Sequence, residues 1–161
     1  MHRPASLALA VLLAQAASQA AAPPDPCKLL TPADVAPLLG SEKPPHSFGT
    51  QGPLFGCTWG GAGSGGKNNY ALMITTSQMP PGKAASNFDL VEKNALAHPD
   101  RAQVEPDLGD KAFSEIASYG VRILALKSGR VLQLQFTTGK TGTADQLAAL
   151  RAIAKKAVAA F

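Results

Sequence analysis

Apolar residues along this chain change their period several times, and each change marks an element. Thr31-Pro32-Ala33-Asp34 reads as a helix start: Thr31 caps, Pro32 suits the first helical position, and Asp34 favours the positive end. Val35, Leu38 and Leu39 supply one apolar face, and Gly40 stops the helix. Ser41 to Pro53 holds three prolines and two glycines and is expected to be a loop. Phe55, Cys57 and Trp59 then alternate with Gly56, Thr58 and Gly60, a strand with one buried face. After a glycine-rich connection, Tyr70, Leu72 and Ile74 alternate with Ala71, Met73 and Thr75 as a second strand. Pro80-Pro81-Gly82 breaks it, and Ala84, Phe88, Val91 and Ala95 carry helical spacing from Lys83 to about Ala97.

Asp100 to Asp110 is polar and turn-rich, and Ala112 to Ile116 reads as a short edge strand. Ser128-Gly129 is a two-residue hairpin turn between Tyr119–Lys127 and Arg130–Thr138. Lys127 opposite Arg130 pairs Ala125 with Leu132, Ile123 with Leu134 and Val121 with Phe136, so turn and pattern choose one register. The other face mixes Arg122, Gln133 and Gln135 with Leu124, Leu126 and Val131, so something is expected to cover part of it. Ala144 to Phe161 is a terminal helix with Leu147, Leu150, Ala154 and Ala157 or Val158 on one stripe, and Asp145 and Lys155-Lys156 placed to match the dipole. The expected fold is α+β: an antiparallel sheet of about five strands with three helices on both sides, in the order α-β-β-α-β-β-β-α.

Composition adds a compartment. A basic Met1-His2-Arg3, an apolar stretch from Ala5 to Ala14 and Ser18-Gln19-Ala20 read as an export signal over residues 1–20. The stretch is about ten residues, short of the ~20 a spanning helix needs. Residues 21–161 are then one domain, periplasmic or secreted. The formal charge of +4 falls to +3 without Arg3, too mild and too evenly spread to argue for nucleic acid. Cys27 follows Asp25-Pro26 rather than small apolar residues, so no lipid anchor is expected. Two cysteines in an exported chain most simply pair with each other. A structural bond closing about 31 residues contributes ~3–4 kcal/mol on the chain-entropy model. The alternative, a redox-active pair, needs close spacing as in Cys-x-x-Cys sites, which Cys27 and Cys57 lack.

Chemistry-bearing motifs are sparse. Gly61 to Asn68 nearly spells a phosphate-binding loop, but a strand follows where a helix is needed, and Asn68 replaces the magnesium-binding hydroxyl. Ser64 weakly echoes a nucleophile elbow, with only His46 and His98 left as possible bases after export. Asp107, Asp110 and Glu115 surround a turn and read as solvated rather than as a calcium site. No metal and no cofactor is expected. Trp59, Tyr70 and Tyr119 are candidate contact-surface aromatics: Trp59 shares a strand face with Cys57 and is expected to pack on the disulfide, and Tyr70 and Tyr119 begin strands beside loops, where they could frame a ligand mouth or be ordinary half-buried tyrosines.

Asp25-Pro26-Cys27-Lys28-Leu29-Leu30-Thr31-Pro32-Ala33-Asp34-Val35, Leu39-Gly40 and Gly56-Cys57-Thr58-Trp59 resemble a family of uncharacterised exported bacterial domains, many of them actinobacterial lipoproteins. The likeness continues through Leu108 to Ala112, the Gly129-Arg130-Val131-Leu132 hairpin and the alanine-rich last helix. The resemblance implies a structural Cys27–Cys57 bond, an envelope location and a sheet with flanking helices similar to PsbP-like domains. It carries no active-site residues. The functional expectation is a non-catalytic binding or interaction module for an envelope protein or a small apolar ligand. Its contact surface would be Leu124, Leu126, Val131 and Met73, if no helix covers them. About 400 Å² of such surface is worth ~10 kcal/mol before association costs. A small envelope hydrolase or transferase, and a structural envelope accessory, are the alternatives.

Overall fold

The computed structural model describes residues 24–49, 54–61, 70–77 and 79–161. The expected leader, and the motifs placed on residues 62–69 with Ser64, lie outside these. A 3₁₀ turn, Pro26–Lys28, leads into α1 (Pro32–Leu39), β1 (Pro45–Phe48), β2 (Leu54–Gly60), β3 (Ala71–Ser77) and α2 (Pro81–Leu96). Then come β4 (Ala102–Val104), β5 (Lys111–Ala117), β6 (Gly120–Lys127), β7 (Arg130–Thr137) and α3 (Ala144–Ala160). The fold is α+β, and the described strands form one sheet in the order β1-β2-β3-β7-β6-β5-β4, every neighbouring pair antiparallel.

The sheet thus has seven described strands rather than about five. The two additions are its edges. β1 lies in the stretch expected to be a loop, and β4 in the turn-rich one, so β5 is an inner strand and not an edge. Both edge strands are short, pair on one side only and leave most of their side chains exposed or half-buried. An element with so little to bury carries no alternating pattern.

The β6–β7 hairpin has the expected register, from Lys127 opposite Arg130 to Val121 opposite Phe136. Ser128 at φ 51° and Gly129 at φ 74° are both left-handed, the backbone that matches the strand twist in a two-residue turn. At α1, Thr31 Oγ1 accepts from Asp34 N at 3.3 Å, Asp34 Oδ2 accepts from Thr31 N at 2.9 Å, and Gly40 closes the helix at φ 76°.

Helices cover both faces. On the front, α1 and α3 bury Val35, Leu38, Leu150 and Ala154 against Cys57, Trp59, Leu72, Ile74, Ile123 and Leu134. Cys27 and Cys57 are bonded, tying the 3₁₀ turn to the middle of β2. Lys127 Nζ donates to Val158 O at 2.6 Å, pinning the hairpin to the end of α3. On the reverse face α2 buries Phe88 and Ala95 against Ala102, Phe113, Leu124 and Leu126.

Lys156 Nζ donates to Asp34 Oδ1 at 2.6 Å and joins the two front helices. That ammonium first, then the amide and hydroxyl of Thr31, hold the Asp34 carboxyl down at about 2. A depressed carboxyl stabilises the fold above its ordinary value near 3.8 and loses that contribution as the pH falls towards 2. The full shift is worth ~2.4 kcal/mol, but Lys156 is 63% exposed, and solvent screening reduces this to about 1 kcal/mol. Urea unfolding of wild type and Asp34→Asn should differ by that amount at pH 7 and converge as the pH approaches 2. A gap that persists at low pH contradicts the assignment.

Candidate binding groove

The strand register sets out the reverse face row by row. One row runs Phe48, Gly56, Thr75, Gln133, Leu124, Phe113 across β1, β2, β3, β7, β6 and β5. The next runs His46, Thr58, Met73, Gln135, Arg122, Glu115. Leu124 and Phe113 place apolar bulk at the β5–β6 end, whereas β2, β3 and β7 carry Gly56, Thr58, Thr75, Gln133 and Gln135, with Met73 among them. A helix with one apolar stripe settles where that stripe finds apolar partners. α2 lies there: Phe88 meets Phe113 edge-on at 5.7 Å, and Asp89 on its flank pairs with Lys111 at 2.9 Å. At the opposite end the Phe48 ring lies directly over Gly56, in the space a Cβ would need.

Between the uncovered flank of α2 and the sheet lies a half-open cavity of about 120 Å³. Asn87, Phe88 and Val91 form its helical wall, and Thr75, Leu124, Val131 and Gln133 its floor. Ser77 and Met79 close one end. None of these side chains is charged. Gln133 Nε2 donates to Gln135 Oε1, and Gln135 Nε2 to Thr137 Oγ1, each at 3.3 Å. Beyond them Arg122 is held by Glu115, with Nη2 at 2.6 Å from Oε2.

The residues expected to form a contact surface divide. Leu124 and Leu126 are 5% and 8% exposed beneath α2 and are core, because the helix that the mixed face called for covers them. Val131 and Met73 stay half-buried on the reverse face, and Val131 lines the cavity. Trp59 is fully buried in the front core with Cys57, and its Nε1 has no acceptor among the described residues. It is no surface anchor. Tyr70 packs edge-on against Phe136 at 5.6 Å, on the front side. Tyr119, 37% exposed, lies in the turn before β6. Both adjoin the end of β7, but Tyr70 spends its ring on the core rather than on a mouth.

The other chemistry is dispersed or paired. His46 is on edge strand β1, and His98 follows α2 beside the opposite edge, with Ala102 N donating to its carbonyl. Glu115 is spent on Arg122, and Asp110 Oδ2 accepts from Ser128 N at 2.6 Å. Among the described residues no cluster of three or more His, Cys, Asp or Glu is arranged to hold a metal. One node escaped the sequence. Glu105 Oε1 accepts from Ser114 Oγ at 2.6 Å, Arg151 Nε at 2.8 Å and Gln103 Nε2 at 3.3 Å, joining the sheet edge to α3. Ser114 is fully buried and already donates its hydroxyl, so it offers no exposed nucleophile. Arg151 borders two further hollows of about 210 and 330 Å³.

No helix among the described residues is long and apolar enough to cross a membrane. No protein-family model, curated protein or solved structure matches the chain.

Burial under α2 makes a sharp stability prediction. Leu124→Asp buries a carboxylate in the cluster of Phe88 and Phe113 and should cost about 3 kcal/mol or more. Leu90→Asp, on the outer side of the same helix at 58% exposure, should change stability by no more than about 0.5 kcal/mol. Similar small losses at both positions in denaturant titration would mean that α2 does not seal the β5–β6 half of this face.

Proposed function

We propose that the chain is an exported, non-catalytic binding module that seats one apolar group in the groove between α2 and strands β3, β6 and β7. The observation that carries this reading is the cavity itself. It is open to solvent, uncharged, apolar where Phe88, Val91, Leu124 and Val131 meet, and edged by the amides of Asn87 and Gln133. Buried apolar surface supplies the driving force, and a few polar groups at the rim fix orientation. Size limits the occupant. An apolar cavity of roughly 150 Å³ holds one benzene. A groove of about 120 Å³ accordingly takes a single ring or branched alkyl group, from a small ligand or a partner's side chain.

The Cys27–Cys57 bond supports the exported setting, because such bonds persist outside the reducing cytosol. It is also the pairing that the resemblance to exported bacterial domains implies. A net charge of only +4, with its basic residues spread along the chain, supports neither nucleic acid nor a membrane surface as partner. Among the described residues the large exposed apolar side chains are Leu90 on α2, Val104 on β4 and Tyr119 in the turn before β6, which weighs against a self-associating accessory with one continuous patch.

Toluene is a suitable probe. At ten times its Kd it should stabilise the protein by about 1.4 kcal/mol, raising Tm by roughly 4 °C. Val91→Trp fills the groove from the helical wall and should abolish that shift while leaving the ligand-free Tm within about 2 °C. An equal shift in wild type and variant places toluene elsewhere, and no shift in wild type overturns the reading.

A further inference from the structure

A thioether stands at one end of the groove. Both cysteines are spent on one disulfide, so methionine sulfurs are the groups that a mild oxidant meets first. The chain has three: Met1 in the expected leader, Met73 and Met79. Met73 is half-buried within β3, with β2 and β7 paired on either side. Met79 is half-buried in the link between β3 and α2 and lines the cavity. Its backbone is fixed on both sides: Met79 N donates to Ser77 Oγ at 3.2 Å, and Pro80 after it favours extended backbone. The side chain meets the second turn of α2, where Asn87 Nδ2 donates to Met79 Sδ at 3.7 Å in a solvent-exposed contact. A thioether is a weak acceptor. The oxygen of a sulfoxide on the same atom is a far better one, and the amide is already in place to meet it.

Resting on the groove being a binding site, we propose that Met79 is a site of oxidation by a hydroperoxide, and that its sulfoxide lowers the affinity of the groove for apolar groups. The sulfur lone pair attacks one oxygen of hydrogen peroxide, the O–O bond breaks and an S–O bond forms. The proton on the attacked oxygen passes to the other, which leaves as water. Sulfur loses two electrons and the peroxide gains them. A flexible apolar lining group becomes a polar one. Asn87 transfers its hydrogen bond from sulfur to the new oxygen. An apolar occupant must then strip water from the sulfoxide as it enters, which weakens binding. Methionine sulfoxide reductases reverse the step, so the change is a switch and not a lesion.

Treatment of the disulfide-bonded protein with hydrogen peroxide, followed by peptide mass spectrometry and toluene titration, tests this directly. In Met73→Leu, Met79 is the sole methionine after Met1 and should gain one oxygen in the folded protein. The toluene Kd of that variant, read from Tm across a toluene series, should then rise about fivefold or more. Met79→Leu keeps an apolar lining, and its Kd should stay within about twofold before and after peroxide. The Asn87 side-chain amide proton should move downfield on oxidation of Met73→Leu. Met79 left unmodified under conditions that fully oxidise free methionine overturns the modification site. Modified Met79 with an unchanged Kd overturns the switch. Either result, with toluene still protecting untreated protein, leaves the apolar site standing. An equal loss in Met79→Leu traces the effect to another residue and overturns the assignment, and an unmoved Asn87 amide overturns the exchange of hydrogen bonds. No toluene shift in untreated wild type removes the binding site itself and the switch with it.

Discussion

The position of α2 is the constraint from which the surface of this protein follows, and two phenylalanines set it. Phe88 and Phe113 are each almost wholly buried and meet edge to face at 5.7 Å. Burial of a side chain of this size stabilises by roughly 1.5–3 kcal/mol, and the aromatic geometry adds a further ~1 kcal/mol. The Lys111–Asp89 pair on the same flank is more than half exposed on both sides and contributes far less. The helix therefore lies where the reverse face offers Phe113, Leu124 and Leu126, and it stops short of Thr58, Thr75 and Gly56. The groove is what remains when an apolar stripe settles on Phe113, Leu124 and Leu126 and leaves the polar positions of β3 and β7 beside it.

The front of the sheet serves the opposite purpose. There α1, α3 and the disulfide close over Trp59, Leu72, Ile123 and Leu134, and polar links bind the helices to each other and to the hairpin. Trp59 is fully buried in this layer beside Cys57. A rigid front allows the reverse face to be half open, because the sheet does not depend on α2 alone for its core.

Much of this was legible in the residues themselves. The β6–β7 register was readable because the Ser128-Gly129 turn and the apolar alternation demand the same pairing. Thr31, Asp34 and Gly40 announced α1 through capping chemistry that is local by nature. The mixed face of the hairpin correctly implied a covering helix, yet Leu124 and Leu126 looked available until α2 was placed over them. β1 and β4 were hidden because an edge strand buries too little to carry a pattern. The Glu105–Arg151 contact, spanning 46 residues, has no local signature at all. Nor did any spacing place Asn87 opposite Gln133, since that juxtaposition exists only once helix and sheet are packed.

Crystals held under xenon pressure test the central claim most directly, because xenon enters apolar space without needing a polar partner. A single bound atom between Val91, Leu124 and Val131, with α2 unmoved and Phe88 still on Phe113, is the predicted result. A groove closed by α2 lying against Thr75, with no xenon in it, would contradict the account.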